Sequence, residues 1–176
     1  VLFDEREAVS RLIQEIALRG HRRIGHIAGP ERTWTGAERR FGYRDGLRAA
    51  GLEVDEALIQ TGDFYVEESA RAAMDAFMAL PNPPTAVFAA SDLLAAAALL
   101  YCTDRGLRVP EDVAIIGMDD LPRATLTRPR LTTLRKDITL LGETAVNLLT
   151  ERIGAETPIP GRERVLPCEL VMRDSL

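Results

Sequence analysis

Thr85-Ala86-Val87-Phe88-Ala89-Ala90-Ser91-Asp92-Leu93-Leu94-Ala95-Ala96-Ala97-Ala98-Leu99-Leu100-Tyr101-Cys102 is the stretch on which the fold turns. From Thr85 to Ala90 the apolar residues run without alternation, the pattern of a strand covered on both faces. Ser91 and Asp92 are residue types whose side chains accept from the free N–H groups at a helix start, and the helical run they open reaches Arg105 before Gly106 closes it. A buried strand followed by a polar turn and a helix is the unit of an α/β fold.

Outward from this unit the rhythm repeats. Toward the N-terminus, Leu58 to Thr61 reads as a strand before a helix carrying Ala70, Ala73, Met74 and Phe77. Before it, Ile24 to Ala28 is a strand bounded by Gly29-Pro30, with a helix from about Gly36 to Ala50 ended by Gly51. The chain opens on an amphipathic helix over Asp4 to Arg19, in which Asp4 and Glu7 form a capping-box pattern and Gly20 is the stop. Toward the C-terminus, Val113 to Ile116 is a strand ending at Gly117, and Thr132 to Leu134 is another. A helix with Ile138, Leu141, Ala145, Leu148 and Leu149 follows, and a last strand lies near Val165 to Met172. Continuous apolar strands separated by helices predict a doubly wound parallel sheet with helices on both faces, and one region over 1–176. The opening on Val1, almost directly into a helix, reads as a piece of a longer protein.

Composition excludes several classes. With 176 residues and 46% hydrophobic content the chain can build one sizeable core without staples. Cys102 and Cys168 lie in apolar runs with no CxxC, so neither a disulfide framework nor a zinc site is expected, and a reducing cytoplasm fits. The longest strongly apolar run, Leu93 to Cys102, is about half a membrane span, and the charged N-terminus does not resemble a signal peptide. Twenty-two basic against 27 acidic residues argue against autonomous nucleic-acid binding, which draws most of its affinity from a basic face.

In open α/β sheets ligands bind beyond the carboxyl ends of the strands. There the sequence places Thr33, Trp34, Thr35 and Arg39 after the first strand, Asp63 and Phe64 after the second, Ser91 and Asp92 after the third, and Asp119 and Asp120 after the fourth. Carboxylates, a guanidinium fork and an aromatic cover suit a small polar ligand. Each residue also has a plainer reading. Ser91 or Asp92 can be a helix cap, Asp119-Asp120 turn residues, Phe64 core, and Arg39 a partner of Glu38 or Asp45 on a solvated face. Catalysis has less support. His21 and His26 have poor spacing for a shared metal, His26 reads as a strand residue, and no GxSxG, HExxH or GxxxxGK[ST] occurs. A small Mg²⁺ enzyme using Asp92, Asp119 and Asp120 is the competing class.

The helix after Ser91 is apolar on every side, whereas a helix with its back in water shows a polar stripe. Either another helix of the chain covers it or a second copy does.

These motifs, in order, resemble the LacI/GalR family of bacterial transcription regulators. The matching pieces are Arg19-Gly20-His21-Arg22-Arg23-Ile24-Gly25 with Ala28-Gly29-Pro30; Arg39 with Gly42-Tyr43 and Gly46-Leu47; Gly62-Asp63-Phe64; and Ala90-Ser91-Asp92. Val109-Pro110-Glu111-Asp112-Val113 follows, leading to Gly117-Met118-Asp119-Asp120, then Leu131-Thr132-Thr133-Leu134, Asp137 and Leu141-Gly142. Met118 stands where the family usually has an aromatic, and Ser91 where it often has Asn. The resemblance implies a periplasmic-binding-protein-like sensor without enzymatic activity or cofactor, and operator DNA bound only through an N-terminal helix-turn-helix not in this chain. It implies effector contacts, to a sugar or related metabolite, at Thr35, Arg39, Phe64, Ser91 and Asp119. It further implies a homodimer through Leu93, Leu94, Ala96, Ala97, Leu100 and Tyr101 with Leu121, and a helix over 137–153 that packs in a partner lobe. A sugar-binding component of a transporter shares the fold and is the alternative.

Overall fold

The computed structural model of the chain describes residues 1–64, 66–154 and 160–176. Its central sheet has the order β3-β2-β4-β5-β6-β8, built from Ile24–Ala28 (β2), Ile59–Thr61 (β3), Ala86–Ala89 (β4), Ala114–Asp119 (β5), Thr132–Arg135 (β6) and Glu169–Val171 (β8). All neighbours are parallel except β6 and β8, which run antiparallel with Thr133 opposite Val171. The chain reverses its direction of travel across the sheet between β2 and β4. That is the switch point where the loops leave a crevice at the strand ends.

Helices α1 (Glu5–Leu18) and α2 (Trp34–Ala49) cover one face, and α3 (Glu67–Met78), α4 (Asp92–Asp104) and the short α5 (Arg123–Leu126) cover the other. Side chains alternate between the two layers along each strand. On β4, Val87 and Ala89 join Met74, Phe77 and Leu94, while Ala86 and Phe88 join Ile13, Ile16 and Tyr43. Gly42 and Gly46 let α2 lie against α1, because a Cβ at either would strike the backbone oxygen of Arg6 or Ser10. This tight crossing matters for the site, since α1 and α2 each send one charged residue to it.

His26 is buried in β2 between the rings of Tyr43 and Phe88, each 4.9 Å away centre to centre, with Nδ1 3.1 Å from the Phe88 carbonyl oxygen. Burial pushes its pKa down to about 3, so it is a neutral strand residue and part of the packing.

Two features depart from the sequence reading. The single last strand is two: Val165–Leu166 (β7) pairs parallel with Leu2–Phe3 (β1), and only β8 joins the main sheet. Strand β8 is therefore an antiparallel edge, which the apolar run near Val165 to Met172 does not reveal. The helix expected near Gly36 starts two residues earlier, at Trp34, capped by Thr33. Helix α6 (Ile138–Ile153) has no buried residue, and with β1 it borders a cavity of about 490 Å³ lined by Val1, Leu2, Ala145, Leu148, Leu149 and Arg152. No helix among the described residues is long and apolar enough to cross a membrane.

Candidate functional site

At the switch point lies a cleft of about 370 Å³ lined by Thr33, Thr35, Arg39, Phe64, Ser91, Asp119 and Lys136. All five residues expected to contact a ligand, Thr35, Arg39, Phe64, Ser91 and Asp119, are brought together there from four different strand–helix units.

Arg39 is the organising group. It sits in α2 behind the cap formed by Thr33, whose Oγ1 accepts from Gly36 N at 3.0 Å and donates to the Pro30 carbonyl at 2.8 Å. Arg39 is 3% exposed, and its guanidinium reaches back over the sheet edge to the Ala90 carbonyl. It does not pair with Glu38 or Asp45, the partners a solvated face would supply; Asp45 is held by Arg6 and Arg48. Instead Arg39 Nε donates to Glu5 Oε2 at 2.7 Å and Nη2 to Glu5 Oε1 at 3.1 Å, while Nη1 donates to the carbonyl of Ala90 at the end of β4. A planar fork on a carboxylate fixes orientation as well as charge. The Phe64 ring lies 5.2 Å from the guanidinium carbon and rests against Gly29, where any Cβ would overlap it. Phe64 is thus a wall of the cleft, half-buried, and not core.

Two contributors escaped the sequence reading. Glu5 was visible only as an acidic residue in the first turn of α1, yet it is 5% exposed and takes a second cation, Lys136, at 3.2 Å. Burial raises its carboxyl, and Arg39 and Lys136 outweigh this, holding it below the usual carboxylate range. Lys136, just past β6, also meets Asp119 Oδ1 at 2.7 Å, and Arg39 Nη2 approaches the same oxygen at 3.6 Å. Separations of 34 and 131 residues in sequence hide these pairs from any local pattern.

Asp119 and Asp120 adopt positive φ, 114° and 56°, which non-glycine residues rarely do and which costs backbone energy of order 1–3 kcal/mol each. Three grips hold this turn. Lys136 takes Asp119; Arg135 and Arg173 take Asp120 at 2.7 and 2.6 Å; and Asp92 Oδ2 accepts the amide of Leu121 at 2.7 Å. Asp92 points into the core, fully buried, with Oδ1 accepting from Thr133 Oγ1 at 2.6 Å. Its burial pushes its pKa up to about 6. Ser91 is the cap of α4, accepting from Leu94 N at 3.3 Å, and its hydroxyl donates to the Phe64 carbonyl at 3.1 Å, so it braces the wall of the cleft too.

This arrangement is suited to holding a ligand and poorly suited to holding a metal. The three carboxylates of the Mg²⁺ reading are each engaged by donors, and among the described residues no group of three His, Cys, Asp or Glu is placed to share an ion.

The expected interface divides. Leu94, Ala97 and Tyr101 are covered within the chain, on the side where α3 packs, with the Tyr101 hydroxyl donating to Asp75 at 2.8 Å. Leu93 and Ala96 are half-buried, while Leu100 and Leu121 are exposed, as is Leu126 of α5. Helix α4 is apolar all round because α3 covers one flank and the sheet its floor, leaving a narrow strip of those residues outside.

Residues 13–176 match the model of the periplasmic binding protein-like domain. The HTH-type transcriptional regulator CelR of Thermobifida fusca is 44% identical over 170 residues, 97% of this chain and 48% of its own length. The solved structure of a CelR–cellobiose complex superposes with a TM-score of 0.90 at 41% identity, covering 99% of this chain and 53% of that one. A LacI-family regulatory protein from Chloroflexus aggregans gives 0.92 at 29% identity, with 99% of this chain and 62% of that one covered. The chain spans about half the length of the curated relatives it matches. It therefore belongs to the periplasmic-binding-protein-like domain family, in the form carried by the LacI-type transcription regulators.

Proposed function

We propose that the chain is the effector-sensing part of a bacterial LacI-type regulator, acting in the cytoplasm. In this reading a small polar ligand, a sugar, sits against Thr35, Arg39, Phe64, Ser91 and Asp119. The observation that carries it is the buried Arg39 fork, which arrives at the cleft beside an aromatic wall and a carboxylate with no catalytic pairing among them. CelR, which has been solved with cellobiose, supports a sugar. An aromatic face covers the C–H surface of a sugar ring while the charged groups meet its hydroxyls.

The unburied α6 and the two-stranded β1–β7 sheet support a second lobe packed against residues 137–153, so that the cleft here is one wall of the complete pocket. Effector binding then controls an operator-binding helix-turn-helix by favouring one relative orientation of the lobes; a ligand with equal affinity for both would shift nothing. Two copies associate through Leu93, Ala96, Leu100 and Leu121, with Leu94, Ala97 and Tyr101 supporting that strip from inside.

Calorimetry with cellobiose tests this. The protein with both lobes is expected to bind in the micromolar range, the isolated 176 residues far more weakly, and Arg39→Ala with Asp119→Ala to abolish binding. Unchanged affinity in that double variant would refute the cleft.

A further inference from the structure

The residues on the cleft floor form a closed set of charges. Arg39 and Lys136 supply two positive groups, Glu5 and Asp119 two negative ones, and each cation touches both anions. In the layer behind, Arg135 and Arg173 pair with Asp120, while Asp92 accepts from the Leu121 amide and from Thr133 Oγ1. Glu5 is the member that faces away from the opening and lines no part of the cleft, being 5% exposed beneath Arg39 and Lys136.

Hydrogen-bond capacity follows from the same geometry. A guanidinium has five N–H donors. Arg39 commits one from Nε and one from Nη2 to Glu5, one from Nη1 to Ala90, and leans the second Nη2 donor toward Asp119, leaving one. Lys136 has three, of which Glu5 and Asp119 take two. Both cations meet Asp119 at Oδ1, and among the described residues Oδ2 accepts no hydrogen bond. The floor therefore offers two single donors and an acceptor oxygen in a neutral setting. Alcohol hydroxyls, which both donate and accept, match that supply. A phosphate ester, which only accepts and carries charge, would meet too few donors and the open carboxylate oxygen.

We infer that Glu5 is a specificity-determining residue that neutralises Arg39 and Lys136 from behind, so that the cleft takes uncharged polyol ligands and rejects their phosphorylated counterparts. This rests on the cleft being the ligand site and adds what decides the charge of the ligand. Without Glu5 the same Arg39 and Lys136 would form an anion cradle, as paired cations commonly do.

Inorganic phosphate and cellobiose, titrated separately into the ¹⁵N-labelled chain while the amides of Ala90 and Asp119 are followed by NMR, provide the test. In the unaltered chain these amides move with cellobiose and not with phosphate. Glu5→Gln, with one net positive charge, gains phosphate binding at them by roughly tenfold to a hundredfold. The double variant Glu5→Gln with Lys136→Met, neutral again, loses it. Asp119→Asn reaches the same positive charge with the Glu5–Arg39 pair intact and gains phosphate affinity too, so the test survives a Glu5 variant that does not fold. Phosphate binding as tight in the unaltered chain as in Glu5→Gln and Asp119→Asn, or persisting undiminished in the double variant, overturns the inference. A phosphate gain without any cellobiose shift upholds charge selection by Glu5, and the sugar reading is then decided by calorimetry on the two-lobed protein.

Discussion

Helices α4 and α6 are both rich in aliphatic residues, yet the fold treats them oppositely. Most of α4 is buried: Leu94, Ala95, Ala98 and Cys102 are at most 1% exposed. Helix α6 has no buried residue at all, with Ile138, Val146 and Ile153 each more than 60% exposed. The difference is topological. Helix α4 returns from β4 to β5 within the sheet and must lie on it, with α3 alongside, whereas α6 leaves after β6, the last parallel strand of the central sheet, and runs toward β1 and β7. An apolar face paired inside the chain stabilises this domain; an apolar face left open stabilises only an assembly that covers it.

The largest effects should come from breaking the first side of this contrast. Phe77→Ala, at the layer between α3 and the sheet, is expected to cost about 3–5 kcal/mol in a denaturant titration, and Leu94→Ala about 2–5 kcal/mol. Arg39→Ala leaves Glu5 buried with Lys136 as its remaining cation and is expected to cost about 3 kcal/mol; a loss under about 1 kcal/mol would mean that Glu5 finds water or another donor.

Asp92, at the start of α4, gives a smaller effect with a defined pH signature. Its folded pKa of about 6 lies above the ordinary carboxyl value, so the folded state binds the proton more tightly. The group's contribution is least favourable above pH 6 and improves as pH falls toward 4. Chemical denaturation of both proteins from pH 7 to 4 should show the unaltered chain gaining stability relative to Asp92→Asn through that window. Parallel curves would place the Asp92 carboxyl in a more solvated setting. The amide of Leu121 should also exchange with solvent faster in the variant, as it loses a charged acceptor.

The smallest effect belongs to α6. In the isolated chain Leu149→Ser is expected to change stability by less than about 0.5 kcal/mol, and in a protein with both lobes by several times more. Equal small values in both settings would leave that face without a covering lobe.

Much of this architecture could be read from the sequence because its signals are local. Unalternating strands such as Thr85 to Ala90 and Val113 to Ile116, with a helix after each, require a covered parallel sheet, and the rule for open α/β sheets points to the strand ends. That placed Arg39, Phe64, Ser91 and Asp119 on one rim. What stayed hidden depends on contacts across the fold. Glu5 looks like an ordinary first-turn acid until α2 crosses α1 closely enough to deliver Arg39 to it. Lys136 lies in a connection with no motif. The positive φ at Asp119 and Asp120 has no glycine to announce it. The all-round apolarity of α4 could not say whether α3 or a second copy covers Leu94, Ala97 and Tyr101, and the packing assigns those three to the interior.

In the proposed function Arg39, Phe64 and Asp119 hold the ligand as a group. A crystal structure of the two-lobed protein grown with cellobiose tests it most directly. Sugar hydroxyls are expected on Arg39 and Asp119, with a ring face against Phe64. A sugar seated elsewhere, for instance in the cavity beside Leu2 and Leu149, with the cleft open to solvent, would contradict it.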